Sequence, residues 1–225
     1  MKTLIRILMN PTESHSKYYQ VASDTTVLAV LISVLNLSSS GQQEIIYGME
    51  FLGFFTALEN IITNEEIPVV TKSMSLLAIS NMYTILTQAS QPGTHYLSSS
   101  TRAFALEVLT EWHIYAERRE NPPELVRNLV YASLVLFYNF LFIAQGQLAA
   151  HRDRALTTEW LDNLINVIST RIIPNFGEDI LITPVLLQFI NLFTKESLTR
   201  GAAITNNSLV SYCFAKLRDP LVTVI

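Results

Sequence analysis

The chain has 225 residues, of which 49% are hydrophobic and only 15% are charged, and its formal net charge is −4. Since globular domains usually carry about 25% charged residues, much of this chain must be buried in a core or face a membrane. Seven glycines allow few turns that need a positive φ, which favours helices over a many-stranded sandwich or barrel. The net negative charge argues against a nucleic-acid partner, because such binding depends on neutralising phosphates.

The N-terminal segment and the cysteine content indicate a reducing compartment. The sequence begins like a secretory signal, but Arg6 interrupts the apolar run and Asn10-Pro11 ends it. Cys213 is the single cysteine, so no disulfide can form within the chain, and its ordinary interpretation is a small buried side chain. We therefore expect a cytoplasmic or nuclear protein.

Long helical stretches follow one another along the chain, and no convincing strand separates them. Ser and Thr near the starts of these stretches are typical N-caps, and proline is typical of helix ends. The sequence therefore predicts an all-α protein. The long stretches are residues 42–62, which end before Pro68, residues 100–119, which end at Asn121-Pro122-Pro123, and residues 157–173, which end at Pro174.

Four shorter apolar windows of eight residues repeat one pattern when they are aligned on an asparagine at position seven. Position two is Leu in all four windows, positions three and five are apolar, and position eight is a large apolar residue. The asparagines are 45, 58 and 52 residues apart, which suits a unit of two or three helices with variable loops. The windows are residues 30–37, 75–82, 133–140 and 185–192, with Asn36, Asn81, Asn139 and Asn191 at position seven.

The helix period gives each asparagine a place on its helix. At 100° per residue, positions two and five lie on one face, whereas position seven follows position three by one turn on another side. A helix pair cannot bury its apolar face alone, so stacked pairs would form one continuous core. Each asparagine then either lines the inner surface of the stack or makes an inter-repeat hydrogen bond to a buried backbone group, and the sequence leaves both open.

The windows resemble the third helix of an armadillo repeat, which ends in a pattern like Ala-Leu-x-x-Leu-x-Asn-Leu. The most similar are "SLLAISNM" at residues 75–82 and "SLVLFYNF" at residues 133–140. The resemblance covers roughly residues 20–215 as a pattern. It implies a right-handed α-solenoid, an armadillo/HEAT-like superhelix of about four helical repeat units whose inner helices line a concave groove for a protein or peptide. HEAT-like helix pairs describe the chain equally well, because the Gly-rich bend of armadillo repeats is absent.

One departure from the armadillo pattern limits what the resemblance implies. In the best-known members the asparagines hold the main chain of an extended peptide, helped by a tryptophan one turn earlier. That earlier position is held here by Ile32, Leu77, Val135 and Leu187. The resemblance therefore implies the scaffold, a single helical domain over residues 1–225 that is complete or a segment of a longer protein, and not that peptide-binding ladder.

A membrane-spanning helix is the main alternative to a soluble stack of helices. Residues 128–150 carry no charge, and 23 residues are enough to cross a bilayer. However, several polar residues interrupt the run, and its two flanks carry mixed charges without a basic bias. Since a helix in the interior of a solenoid accounts for the same run, we expect a helix that is buried in protein and not in a membrane.

The sequence shows no motif for catalysis, a cofactor or a metal. Its four histidines lie far apart without metal-ligand spacing, and its glycines are isolated and form no phosphate-binding loop. We therefore expect no enzyme, but a scaffold or adaptor that binds another protein or peptide. The candidate partner-binding residues are the asparagines Asn36, Asn81, Asn139 and Asn191, with Tyr83, Tyr138 and Trp112 as aromatic anchors.

A self-assembling structural subunit is the alternative function. The sequence begins with "MKTLIRIL" and finishes with "PLVTVI", and both segments are apolar. A finished solenoid needs polar caps at its ends. These segments therefore predict either pairing with another copy, as in a homodimer, or membership of a longer protein.

Overall fold

The computed structural model describes residues 33–34, 36–37, 42–65, 67–88, 98–118, 122–148, 158–195, 203 and 205–218. Throughout these residues the regular elements are helices and none is a strand, which confirms the predicted all-α class. The terminal segments on which the signal-sequence and self-assembly expectations depended lie outside the described residues, as do residues 30–32 and 35 of the first window.

The helices group into two compact units, Met1–Val108 with Trp112–Ile143 and Leu109–Glu111 with Ala144–Ile225. In chain order the helices are α1 (Gln43–Phe51), α2 (Phe54–Thr63), α3 (Val69–Gln88), α4 (Ser99–Glu117), α5 (Pro123–Leu148), α6 (Thr158–Val167), a π-helical segment (Ile168–Ile172), α7 (Ile173–Phe176), α8 (Thr183–Lys195) and α9 (Asn207–Leu217).

The helix predicted over residues 42–62 is two helices in the structure. The chain breaks at Gly53, whose φ of 84° is a left-handed conformation that glycine adopts without steric cost. The helical parts on the two sides of this break are bent by 65°. Gly48 lies inside α1 and does not interrupt it. The prediction of one continuous helix was therefore wrong, because Gly53, unlike Gly48, takes a conformation that ends a helix.

Pro174 does not end the helical stretch that was predicted to stop there. The preceding residues form a π-helical segment, in which the Ile173 N–H donates to the Ile168 carbonyl five residues earlier. Proline has no N–H to donate, and in an α-helix its ring would meet the carbonyl four residues before it. The wider π turn leaves room for the ring, so the helical stretch continues as α7 to Phe176.

The core of the first unit is built on an α2–α3 hairpin. The Phe55 and Tyr83 rings meet edge to face with their centroids 5.3 Å apart, which places the first turn of α2 beside the end of α3. Phe54, the residue before Phe55, is fully buried as well. Such aromatic pairs remove large apolar areas from water and add about 0.5–1.5 kcal/mol through their geometry.

Burial along the windows follows the predicted helical register. All described side chains at positions two and five are fully buried, which confirms that these positions share one packed face. Every described side chain at position three is partly exposed, so this position lies towards the accessible side. The residues at position two are Leu76, Leu134 and Leu186, at position five Val34, Ile79, Phe137 and Phe189, and at position three Leu77, Val135 and Leu187.

Candidate partner-binding face

A narrow accessible stripe runs along each of the two window helices of the first unit. Residues 71–85 of α3 and 125–141 of α5 are otherwise buried, apart from Lys72 and Arg127 near the helix starts. The accessible positions recur every three or four residues, so each set lies on one side of its helix over about 15 Å. We call them together the α3–α5 face: Met74, Leu77, Asn81 and Thr84 on α3, with Asn128, Tyr131, Val135 and Tyr138 on α5.

A partly buried hydrogen bond joins α3 and α5 near the later ends of the two stripes. The Asn139 Nδ2 donates to the Thr84 Oγ1 at 2.7 Å, and the Thr84 hydroxyl in turn donates to the Ser80 carbonyl at 2.9 Å. Asn81 lies one turn before Thr84 on α3, and Tyr138 directly precedes Asn139 on α5. The later ends of the two stripes therefore lie near each other.

The α3–α5 face is uncharged along its length. Charged side chains occur only near the helix starts, where Lys72 belongs to α3 and Glu124 and Arg127 belong to α5. The Lys72 ammonium lies 5.7 Å from the centre of the Phe104 ring. Burial lowers the pKa of Lys72, while the carboxylates of Glu107 and Glu65 act in the opposite direction. What the face offers a ligand is thus apolar surface, amides and phenols.

A carboxylate from α2 fixes the start of α4 in the first unit. The Glu59 Oε1 accepts hydrogen bonds from the Ser98 N–H at 2.8 Å and from the Thr101 hydroxyl at 3.1 Å. Ser98 is also the N-cap, because its Oγ accepts from the Thr101 N–H at 3.1 Å. A negative charge at a helix N-terminus is favourable, since unpaired N–H groups and the helix dipole are positive there.

Helix α4 bends at Glu111, where φ and ψ are −116° and 24°. A hydrogen bond from the Tyr115 hydroxyl to the Glu107 Oε1, at 3.0 Å, spans this bend. Burial, and after it the negative charge of Glu107, raise the pKa of Tyr115 to about 12. The predicted anchor Trp112 lies just after the bend, partly exposed, with its ring edge to face with His113 at 6.1 Å.

The four predicted asparagines differ in their surroundings. Asn36 is exposed and helical, Asn81 is partly exposed on the α3–α5 face, and Asn191 is exposed on α8 of the second unit. Asn139 is only 4% exposed and is held by Thr84. Asn139 makes a hydrogen bond to a side chain of another helix, α3, and not to the backbone group that the second alternative named.

Of the predicted aromatic anchors, one of the two tyrosines is accessible and the other is buried. Tyr138 lies on the α3–α5 face, whereas Tyr83 is 4% exposed and packs on Phe55, so Tyr83 offers little surface to a partner. Tyr131 and Met74 belong to the face but were not predicted. Both lie on the same helix side as a window residue, so extending each window backwards by one or two helical turns would have found them.

In the second unit, hydrogen bonds and an ion pair hold helix α9 against the turn after α7. The Gly177 carbonyl accepts hydrogen bonds from the Tyr212 hydroxyl at 2.8 Å and from the Thr183 hydroxyl at 2.9 Å. The Lys216 Nζ lies 2.6 Å from the Glu178 Oε2, with the Lys216 side chain buried and that of Glu178 exposed. Burial raises the pKa of Tyr212 above its ordinary value.

Among the described residues, no single helix has both the length and the apolar character of a membrane span, although residues 43–49 and Phe54–Thr63, bent by 65°, are long and apolar enough as a pair. In the same part of the chain, no three His, Cys, Asp or Glu side chains converge as metal ligands would.

Comparison with known proteins gives no relative: the chain matches no protein-family model, no curated protein and no solved structure.

Proposed function

We propose that this protein is a non-enzymatic scaffold or adaptor that binds a partner protein or peptide through the α3–α5 face. Its helices would belong to a right-handed α-solenoid of the armadillo/HEAT type, with about four repeat units, in the cytoplasm or nucleus. The main support is that windows far apart in the chain bury the same positions and leave position three accessible. Repeated helices with one shared accessible side are what a stacked scaffold presents to a partner.

The composition of the face supports a protein partner. Three of its eight side chains, Met74, Tyr131 and Tyr138, are of types that protein interfaces enrich at their centres, and none of the eight is charged. A nucleic acid would require a basic surface, which neither this face nor the net charge of −4 provides. The fitting partner is a neutral segment with apolar side chains and hydrogen-bonding groups that can reach Asn81.

The amide and phenol groups would supply specificity, and the apolar groups would supply most of the affinity. Tyr131 and Tyr138 combine a large apolar ring with a hydroxyl at its tip, and such residues are frequent binding hot spots. Asn81 can donate and accept at once, so it can pair with a main-chain amide of either orientation. Asn139 acts behind this surface by fixing the two stripes relative to each other.

The test is to capture partners from the source cell with the wild-type protein and with the double variant Asn81→Ala/Tyr138→Ala. The matched control is Thr56→Ala/Asn60→Ala, which changes exposed residues on α2. A partner bound by the wild type and the control, but weakened about tenfold or more by the face variant in a purified binding assay, supports the proposal. Partners that bind all three proteins equally would contradict it, provided that the three melt at similar temperatures.

A further inference from the structure

Helix α5 carries a guanidinium group just beyond the end of the α3–α5 face. Arg127 precedes Tyr131 by one helical turn, and at 100° per residue the two positions are about 40° apart around the helix. Arg127 therefore lies on the side of α5 that Tyr131 and Tyr138 share. Its side chain is partly exposed, and along α5 it is the charge nearest to the uncharged face.

The hydrogen-bonding capacity of Arg127 is not used up by the fold. Its Nε is buried and has no hydrogen-bond acceptor in the part of the chain that the structure describes. A guanidinium has five N–H donors and no acceptor, so it must find oxygen atoms of the protein, of water or of a ligand. A buried N–H without an acceptor costs free energy, and more so when it belongs to a charged group. Turning the Arg127 side chain towards a ligand would therefore break no hydrogen bond at Nε and would relieve this cost.

A carboxylate on a side chain is the ligand group that fits Arg127 best. Its two oxygens can accept two parallel N–H bonds from one guanidinium, and such charge-assisted bonds are stronger than neutral ones. Because the Arg127 Nε lies below the surface, a carboxylate at the tip of a side chain reaches it more readily than one on the main chain. Glu124, one turn nearer the start of α5, is exposed and negative, so this end of the helix lacks the basic patch that a polyanion needs.

We propose that the partner segment bound along the α3–α5 face carries an aspartate or glutamate whose side chain binds Arg127. This inference rests on the proposed function: the part of the segment on the face is neutral, and the acidic residue lies just beyond it. Arg127 and Tyr138 are about 16 Å apart along the helix axis, and an extended peptide advances about 3.3 Å per residue. The acidic residue therefore lies about five residues from the one that contacts Tyr138, and the ion pair fixes the direction of the segment. One partly buried pair among apolar contacts is screened little by salt.

The probe is a library of random peptides of about twelve residues, which exceeds the proposed span. Each peptide is displayed with its C-terminus joined to the carrier, so only aspartate and glutamate side chains supply carboxylates. Peptides are selected on the wild-type protein, and those that also bind Asn81→Ala/Tyr138→Ala are removed, which leaves the peptides that need the α3–α5 face. We expect the remaining peptides to be enriched in aspartate or glutamate at a fixed distance from their apolar residues.

A double-mutant cycle on one selected peptide tests the contact itself. The acidic residue of the peptide is changed to its amide, Arg127 is changed to glutamine, and the affinities of all four combinations are measured. We expect each single change to weaken binding about fivefold to tenfold, and the second change to add little once the first has removed the contact. Arg127→Lys should retain part of the affinity, because it keeps the charge without the bidentate geometry. Arg171→Gln is the charge-matched control at an exposed residue of the second unit, and it should bind like the wild type.

The results separate this inference from the proposed function. Peptides that need the face but show no acidic preference, or additive effects in the cycle, would overturn the carboxylate site and leave the proposed function intact. If no peptide distinguishes the wild type from Asn81→Ala/Tyr138→Ala, the proposed function fails and this inference fails with it. An equal loss of affinity in Arg171→Gln would reveal a general effect of charge and would also overturn the site. If Arg127→Gln does not fold, the amide form of the peptide still decides on the wild-type protein, because an unchanged affinity there contradicts the proposal.

Discussion

Asn139 and Asn81 occupy the same position of their windows but have different neighbours. The Asn139 amide is buried against the Thr84 hydroxyl, and the Asn81 amide is partly exposed one turn before that threonine. A buried amide that loses its partner remains desolvated, whereas a partly exposed one can turn to water. The two residues should therefore contribute differently to stability.

We predict that Asn139→Ala lowers the free energy of unfolding by about 1–2 kcal/mol, and that Asn81→Ala changes it by less than about 0.5 kcal/mol. Thr84→Val should be as costly as Asn139→Ala because it strands the Asn139 amide, and Thr84→Ser should retain most of the stability. Urea unfolding followed by circular dichroism measures all four. Equal losses for Asn81→Ala and Asn139→Ala would show that both asparagines are structural.

Two glycines differ in the space around them, and this difference predicts opposite effects of alanine substitution on stability. A Cβ added at Gly177 would lie 2.5 Å from the Ile173 carbonyl oxygen and 2.9 Å from the Tyr212 ring, whereas one added at Gly48 would meet no atom within 4 Å. We predict that Gly177→Ala destabilises the protein by about 1–3 kcal/mol and loosens α9. Gly48→Ala should stabilise α1 by about 0.5–1 kcal/mol, since alanine favours a helix interior. Thermal melts of the two variants would contradict this account if both shifted in the same direction.

Among the helices, α4 shows how a bend is stabilised. The Tyr115–Glu107 hydrogen bond closes the bend at Glu111, and the surroundings of Tyr115 favour its neutral form. The phenol therefore keeps its proton to higher pH in the folded protein than in the unfolded chain. A neutral phenol can donate to the carboxylate, and a phenolate cannot.

We predict that Tyr115 stabilises the fold fully below pH 10 and that this contribution is lost as pH rises from about 10 to about 12. The ordinary pKa is 10.0 and the folded pKa is about 12, so between them the unfolded state binds fewer protons and stability falls with pH. Tyr115→Phe should cost about 1 kcal/mol at neutral pH and should flatten this alkaline slope. Denaturant unfolding at several pH values measures it, and an unchanged slope in the variant would exclude Tyr115 as its source.

Some helix boundaries could be predicted from local sequence signals, and others could not. Ser98 caps α4 and Pro123 begins α5, as their residue types indicate. The break at Gly53 could not be predicted, because Gly48 lies in an equally apolar stretch and stays helical. The difference arises from the φ that the chain adopts at each glycine, which depends on how α1 and α2 pack.

The windows predicted the packed face of their helices but not the role of each polar residue. Positions two and five could be assigned from helical spacing alone, because apolar side chains at that spacing ordinarily face a core. The burial of Asn139 could not, since it depends on Thr84, which lies 55 residues earlier in the chain and outside the windows. The burial of Tyr83 could not be predicted for the same reason, because its contact with Phe55 is tertiary.

For the whole molecule, the uncharged face predicts how binding responds to salt. An interface of apolar, amide and phenol groups involves little counterion release, so its affinity should depend weakly on ionic strength. We predict that the dissociation constant of a partner bound at the α3–α5 face changes by less than about threefold between about 50 and 500 mM salt. Calorimetric titration measures this, and a steep loss of affinity with salt would place the binding site on a charged surface instead.

The π turn at residues 168–172 has a consequence for comparing this chain with others. A π turn joins residues five apart instead of four, so it rotates every later side chain by about one residue, or about 100°, relative to a continuous α-helix. A helical wheel drawn straight through residues 158–176 would therefore assign Asn175 and Phe176 to the wrong sides. A related sequence that lacks one residue in this interval could form the same helical stretch with a regular α-helix in place of the π turn. A one-residue gap in an alignment at this place would therefore not mean that a helix is missing.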